Sequence, residues 1–311
     1  MKIAILGANS HIAKGLINNL LAKRQDTLCL FTRSVTETGK FLAAAGHELR
    51  GNCVLVEGYR DFLKCGYDVI INCVGTGTPD KLGNDYSVWF TLTEEFDNLC
   101  LACLRSNPDT LYVNFSSGAV YGKDGSAPAT EHTVNCIEVN HIIPADYYTI
   151  ARLNSEAKHR AFAAFKIVDI RIFAYFSRFI DLNSGYFIAE VMNCIRNKRI
   201  LQTNAADMVR DYIHPDDLLK LVLKCAAAGK INVAFDAVSA APAEKFQILD
   251  FFKSEYGLQY EIDGTRNFGS PNGSKNIYCS NYNKASGIGY MPGFSSMDAI
   301  EQEAQYITGN N

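Results

Sequence analysis

The chain has 311 residues, of which 48% are hydrophobic and 20% charged, with a formal net charge of −3. That composition belongs to a globular protein long enough for one large domain or two smaller ones sharing an interface. The near-neutral balance gives no reason to propose attraction to nucleic acid or to a membrane, and neither is expected as a partner.

The chain opens Met1-Lys2-Ile3-Ala4-Ile5-Leu6-Gly7, and its apolar run stops at the glycine. A signal peptide needs an apolar region of ~7–15 residues. No later stretch reaches the ~18 uninterrupted apolar residues of a membrane span, so a cytoplasmic protein is expected. Cys100 and Cys103 form the only Cys-x-x-Cys, and no second Cys or His pair completes a ligand set. No metal is expected, and all ten cysteines read as reduced core residues.

Short apolar runs alternate with helix-period stretches through the first half. Ile3–Leu6, Leu28–Phe31, Val54–Val56, Val69–Cys73, Leu111–Phe115 and Ile167–Ile172 read as strands, with His11–Ala22 and Val88–Leu104 among the helices between them. Near-continuous apolar strands separated by helices predict a parallel sheet covered on both faces, hence an α/β doubly wound, Rossmann-like fold. Beyond Ile172 the alternation loosens, and Gly, Asn, Ser and aromatic residues become dense between Gly264 and Pro292. A smaller C-terminal substrate-binding domain is therefore expected. The division would put residues 1–170 and a return near 205–238 in a cofactor domain, with 171–204 and 239–311 forming the substrate region.

Gly7-Ala8-Asn9-Ser10-His11-Ile12-Ala13 follows the first strand and opens the first helix. There the helix amides and dipole can hold a pyrophosphate, Gly7 permitting the tight turn and small Ser10 and Ala13 the close approach. The second strand ends in Arg33-Ser34 rather than in an acidic residue. A guanidinium there suits the 2′-phosphate of NADP, which favours NADP, with NAD as the alternative. Cys73-Val74-Gly75 ends the fourth strand with residues small enough to pass under a cofactor ribose, although a glycine there also makes a simple turn.

Tyr148 and Arg152 stand four positions apart in Tyr147-Tyr148-Thr149-Ile150-Ala151-Arg152, on one face of a helix. A cation beside a phenol makes it a usable acid or base. By themselves the two are better explained as a core-edge tyrosine with a solvated arginine.

In context these motifs resemble an extended short-chain dehydrogenase/reductase of the nucleotide-sugar epimerase/dehydratase/reductase type. Gly7…Ser10…Ala13 resembles that family's Gly-x-x-Gly-x-x-Gly, and Phe115-Ser116-Ser117-Gly118-Ala119-Val120-Tyr121-Gly122 its fifth-strand segment. Tyr148-x-x-x-Arg152-Leu153-x-x-Glu156 resembles Tyr-x-x-x-Lys-Leu-x-x-Glu, while Arg210-Asp211-Tyr212-Ile213-His214-Pro215-Asp216-Asp217 and Gly289-Tyr290-Met291-Pro292 resemble its later signatures.

The resemblance implies catalytic roles for Ser117, Tyr148 and Arg152, and cofactor contacts from the phosphate loop, Arg33-Ser34, Cys73–Gly75, Ser116, Tyr148 and Arg152. It implies a substrate-pyrophosphate contact for Arg210. Arg178, within Tyr175-Phe176-Ser177-Arg178-Phe179, is a further phosphate candidate. Departures are Arg152 for the family lysine, two lost loop glycines, and Gly58-Tyr59 where an acidic residue approaches adenine. The interval between Ser117 and Tyr148 is also longer than usual, which predicts a loop through Ile137–Ile143 over the pocket.

Family dehydratases carry an acidic pair after the catalytic Ser or Thr; Gly118 and Ala119 stand there, so dehydration is disfavoured. The expected activity is NADPH-dependent reduction of a nucleotide-linked 4-keto-6-deoxy sugar, in deoxysugar or polysaccharide biosynthesis. A nucleotide-sugar epimerase and a non-catalytic NADP(H)-binding regulator are the alternatives. Family practice implies a homodimer.

Overall fold

Apolar runs rich in Ile, Val, Leu and Phe become strands, and capped amphipathic stretches become the helices between them. In a computed structural model describing residues 1–47, 51–75, 82–83, 85–263 and 275–309, the first half reads β1 (Lys2–Leu6), α1 (His11–Lys23), β2 (Thr27–Thr32), α2 (Val35–Ala44) and β3 (Cys53–Glu57). It continues β4 (Val69–Asn72), α3 (Ser87–Ser106), β5 (Leu111–Ser117), α4 (Pro144–Ala161) and β6 (Lys166–Ile172). The second half reads β7 (Ala174–Tyr175), α5 (Phe187–Asn197), β8 (Leu201–Thr203), β9 (Val209–Arg210), β10 (Tyr212–Ile213), α6 (Pro215–Ala227) and β11 (Asn232–Ala237). It ends β12 (Ala243–Glu244), α7 (Lys245–Tyr256), β13 (Tyr260–Ile262), β14 (Ile277–Tyr278) and α8 (Ser296–Thr308).

Seven parallel strands form one sheet in the order β11-β6-β5-β4-β1-β2-β3. The α/β doubly wound expectation holds. Alternate side chains divide the core between two faces: Ile3 and Ile5 of β1 join Leu16, Ile17, Leu42, Leu218 and Val222 on one. Ala4 and Leu6 join Phe96, Cys100 and Leu104 of α3 on the other. Strand order reverses at β1, between β2 and β4, and in such sheets the crevice at the carboxyl ends of those strands takes the ligand.

A third core cluster lies among the later elements, with Phe176, Val191, Met192, Tyr212, Leu249, Phe252 and Ile300 buried together. A small sheet, β12-β9-β14, sets β14 parallel to β9 with Tyr278 opposite Arg210. Part of the Gly-, Asn- and Ser-rich stretch, residues 264–274, lies outside the described residues.

The cysteine expectation needs correction. Eight are buried, but Cys65 and Cys136 are exposed, because they sit in connections between elements rather than in the apolar runs. The interval before α4 is irregular and leaves Val134, Val139, Ile142 and Ile143 exposed. Among the described residues no helix is long and apolar enough to cross a membrane, and no group of His, Cys, Asp and Glu could hold a metal ion.

Candidate active site

The carboxyl ends of β1, β4 and β5 and the first turn of α1 bound one crevice. Gly7 takes φ +75°, and a Cβ there would stand 3.0 Å from the Cys73 carbonyl oxygen, so the turn requires glycine. Ser10 caps α1, its Oγ accepting from the Ala13 amide at 3.3 Å. Asn9 donates to Thr32 Oγ1 at 3.1 Å and to the Ser34 carbonyl at 3.3 Å, tying the loop to the end of β2. His11 Nε2 lies 2.8 Å from Ser177 Oγ, which fixes the chain after β7 against the start of α1.

Arg33 is exposed at the end of β2, and Ser34 caps α2 by accepting from the Glu37 amide at 3.3 Å. Where the family places an acidic residue, Tyr59 packs edge-on to Phe96, ring centroids 4.7 Å apart.

β5 ends in Ser116 and Ser117, which alternation sends to opposite faces. Ser116 donates to Glu156 Oε1 of α4 at 2.6 Å, so its hydroxyl is used within the protein. Glu156 in turn accepts a two-pronged contact from Arg171, which also donates to the Tyr121 hydroxyl at 2.8 Å and meets Asp236 at 3.4 Å. Burial raises the Asp236 carboxyl, and the network braces the end of β5 from behind.

Ser117 Oγ accepts from the Ala119 amide at 3.2 Å and lies 3.0 Å from the Tyr278 hydroxyl. Thr149 donates to the Ala119 carbonyl at 3.1 Å, which locks α4 to the turn after Ser117. Tyr148 is half-buried one residue earlier, its ring 5.4 Å from that of Trp89. Burial, and after it the Tyr148 phenol, hold the Tyr186 phenol above its ordinary range.

Arg152 is buried rather than solvated. Its Nη1 donates to the Phe115 carbonyl at 3.3 Å, and its guanidinium centre is 5.1 Å from the Tyr148 ring centroid. A Cβ on Gly75 would come within 3.0 Å of Nη2, so the arginine reaches the end of β4. Its Nε has no hydrogen-bond partner among the described residues, nor has the buried Asn9 Oδ1. Buried polar atoms without a partner among the described residues are ones a ligand can satisfy.

Arg210 is buried, with its guanidinium donating to the carbonyls of Val209, Lys275 and Asn276. Neither Arg210 nor Lys275 forms an ion pair among the described residues. Burial, and then the neighbouring Arg210 cation, push the Lys275 ammonium down to about 8. The Asp124 carboxylate acts on Lys275 without forming an ion pair, so the two cations stand together with positive charge that no ion pair among the described residues answers.

Arg178 corrects an expectation. Its guanidinium forks onto Glu303 of α8 at 2.7 and 3.0 Å and lies over the Tyr306 ring, so its charge is answered inside the fold. His214 caps α6, its Nδ1 accepting from the Asp216 amide at 3.0 Å, which is the turn-holding use of that residue. Sequence reasoning missed Lys275, Tyr278 and Tyr186. Their one signal is an aromatic and cationic cluster, Lys275-Asn276-Ile277-Tyr278, shortly before Gly289-Tyr290-Met291-Pro292.

Residues 3–236 match the family described as the NAD dependent epimerase/dehydratase family. No curated protein matches the chain by sequence. Among solved structures, UDP-glucuronic acid 4-epimerase from Bacillus cereus, in complex with UDP-glucuronic acid and NAD, superimposes with a TM-score of 0.78 at 18% identity, covering 100% of both chains. The dTDP-glucose 4,6-dehydratase of Streptomyces venezuelae, with NAD bound, gives 0.79 at 16% identity, covering 100% of this chain and 98% of the other. UDP-glucose 4-epimerase from Thermotoga maritima, with UDP-glucose, gives 0.77 at 16% identity over 100% and 99%. At such identities the likeness concerns the fold.

Proposed function

Because the chain belongs to the NAD dependent epimerase/dehydratase family, we propose that it is a nicotinamide-dependent oxidoreductase acting on a keto group of a nucleotide-linked sugar. The observation that carries this reading is the pairing of an anion site with a proton-transfer site. Arg210 on β9 and Lys275 just before β14, two cations with no ion pair among the described residues, flank the paired strands that bring Tyr278 to Ser117, and the Thr149 contact to the turn after Ser117 brings the Tyr148 helix to the same place. A nucleotide diphosphate suits the first and a sugar oxygen the second.

The glycine turn at Gly7 and the open polar atoms of Asn9 and Arg152 fit a dinucleotide. Gly7, Asn9, Ser10, His11 and Ile12 would hold its pyrophosphate, Arg33 and Ser34 the adenosine ribose, and Cys73, Val74, Gly75, Tyr148 and Arg152 the nicotinamide half, whereas the Ser116 hydroxyl, expected among them, is taken by Glu156. When bound, the nicotinamide supplies hydride chemistry that no side chain has. Tyr148 exchanges a proton with the sugar oxygen, Ser117 donates a hydrogen bond to that oxygen, and Arg152 keeps a positive charge beside the phenol.

Arg33 at the end of β2, with no acidic residue in its place, supports NADPH, and a reductant consumed each turnover supports reduction. The substrate class we favour is a nucleotide-linked 4-keto-6-deoxy sugar. Gly118 opposes dehydration, since a Cβ there would come within 2.5 Å of the Phe173 ring, leaving no room for an acidic side chain. Epimerisation is the second reading, favoured by the epimerases in complex with UDP-sugars that share this fold. A homodimer through α3 and α4, with half-buried Tyr86, Phe90 and Tyr147 on that side, and a cytoplasmic setting complete the proposal.

The experiment is to follow NADPH and NADH oxidation against a panel of nucleotide-linked 4-keto sugars, and in parallel to follow sugar configuration by NMR. Net oxidation of NADPH supports the reductase. Inversion with no net oxidation moves the chain to the epimerases, and neither response on any sugar overturns the proposal.

A further inference from the structure

Resting on that functional reading, we infer that Tyr278 is a positioning residue whose phenol donates to Ser117 and turns the Ser117 hydroxyl proton toward the sugar oxygen served by Tyr148. The Tyr278 side chain is 3% exposed, and its hydroxyl lies 3.0 Å from Ser117 Oγ. Among the described residues Ser117 is the sole hydrogen-bond partner of that hydroxyl. A phenol is far more acidic than an aliphatic alcohol, so in such a contact the tyrosine gives the proton and the serine receives it.

The count of lone pairs then decides what Ser117 can do. A serine hydroxyl has two acceptor lone pairs and one hydrogen. The Ala119 amide fills one lone pair at 3.2 Å and the Tyr278 phenol fills the other. With both lone pairs engaged, the remaining hydrogen is the one Ser117 has to offer a ligand. A serine free to rotate spends part of its time as an acceptor; one held on both lone pairs is a donor throughout. Chained donors also polarise one another, which strengthens the final hydrogen bond to an oxygen gaining negative charge.

The fold holds Tyr278 firmly enough for this use. Its ring packs against Phe173 with centroids 5.2 Å apart, and Lys275 Nζ lies 4.8 Å from its centroid. Strand β14 pairs Tyr278 with Arg210 of β9, so the same small sheet sets the Arg210 backbone and the phenol. Burial raises the Tyr278 phenol above its ordinary range, which keeps it protonated as a donor.

Tyr278→Phe keeps the ring and removes the donor. The expected result is a fall in kcat of about tenfold with KM for the sugar unchanged, the size of one lost hydrogen bond in the transition state. In a Ser117→Ala background the same substitution should have no further effect. Independently of turnover, NMR of ring-13C tyrosine in the chain without cofactor should show the Tyr278 Cζ resonance moving on Ser117→Ala.

Three results overturn the inference on an active enzyme: Tyr278→Phe within about twofold of wild type, an equal loss in both backgrounds, or a rise in KM with kcat intact. An unmoved Cζ resonance overturns it even if Tyr278→Phe fails to fold. A wild-type chain that turns over no sugar nucleotide sinks the functional reading and this inference together, which separates that failure from the others.

Discussion

The guanidinium of Arg152 lies over the ring of Tyr148, 5.1 Å from its centroid, and at the same time donates to the Phe115 carbonyl at the end of β5. A lysine would bring a compact charge on a flexible stem; the planar fork of arginine instead spans the phenol, β5 and the approach to Gly75. We expect Arg152→Met to lower kcat/KM by about a hundredfold or more, and Arg152→Lys by about tenfold or less. Steady-state kinetics check this, and wild-type rates in Arg152→Met would mean that the charge is not needed.

Tyr148→Phe should lower kcat by ~10²–10⁴-fold, the usual contribution of a general acid or base, while weakening dinucleotide binding by no more than the about tenfold of one lost hydrogen bond. Turnover and fluorescence titration of the dinucleotide measure the two effects separately. Equal activity in the variant would remove Tyr148 from proton transfer.

Lys275 predicts a pH dependence of substrate binding. Its ammonium titrates at about 8, displaced downward by burial and by Arg210. The charged form is the one that holds phosphate, so affinity for the sugar nucleotide should weaken as pH rises through that value. Binding near it should take up a proton, because a bound anion restores the charge. Calorimetry in buffers of different ionisation enthalpy reads that uptake, and Lys275→Met should abolish it.

The buried trio of Asp97, His159 and Asp169 predicts a pH dependence of stability instead. His159 Nδ1 lies 2.8 Å from Asp169 and Nε2 lies 3.2 Å from Asp97. Burial alone would lower the imidazole, but these contacts outweigh it and raise it to about 9. The stabilisation is therefore complete below the ordinary histidine value of 6.5 and is lost as pH rises through about 9. His159→Gln should cost ~3–5 kcal/mol at about pH 6, with the gap to wild type narrowing at about pH 10. Urea unfolding at the two pH values tests it, and a gap that does not change would show the imidazole to be neutral.

What the sequence determined by itself was local. Six of the seven strands of the large sheet, all but β11, the glycine turn at Gly7, the Tyr148–Arg152 spacing and the Ser117 segment are set by residues within a turn or a strand of one another. Their hydrophobic period and cap residues therefore expose them. Tertiary structure decided the partners. Tyr278 reaches Ser117 across 161 positions, and Glu303 captures Arg178 across 125, because strand pairing and core packing join segments that no short-range pattern connects. It also decided that Arg152 is buried: its guanidinium reaches the Phe115 carbonyl of β5 and the glycine beyond β4, strands that the sheet order sets side by side.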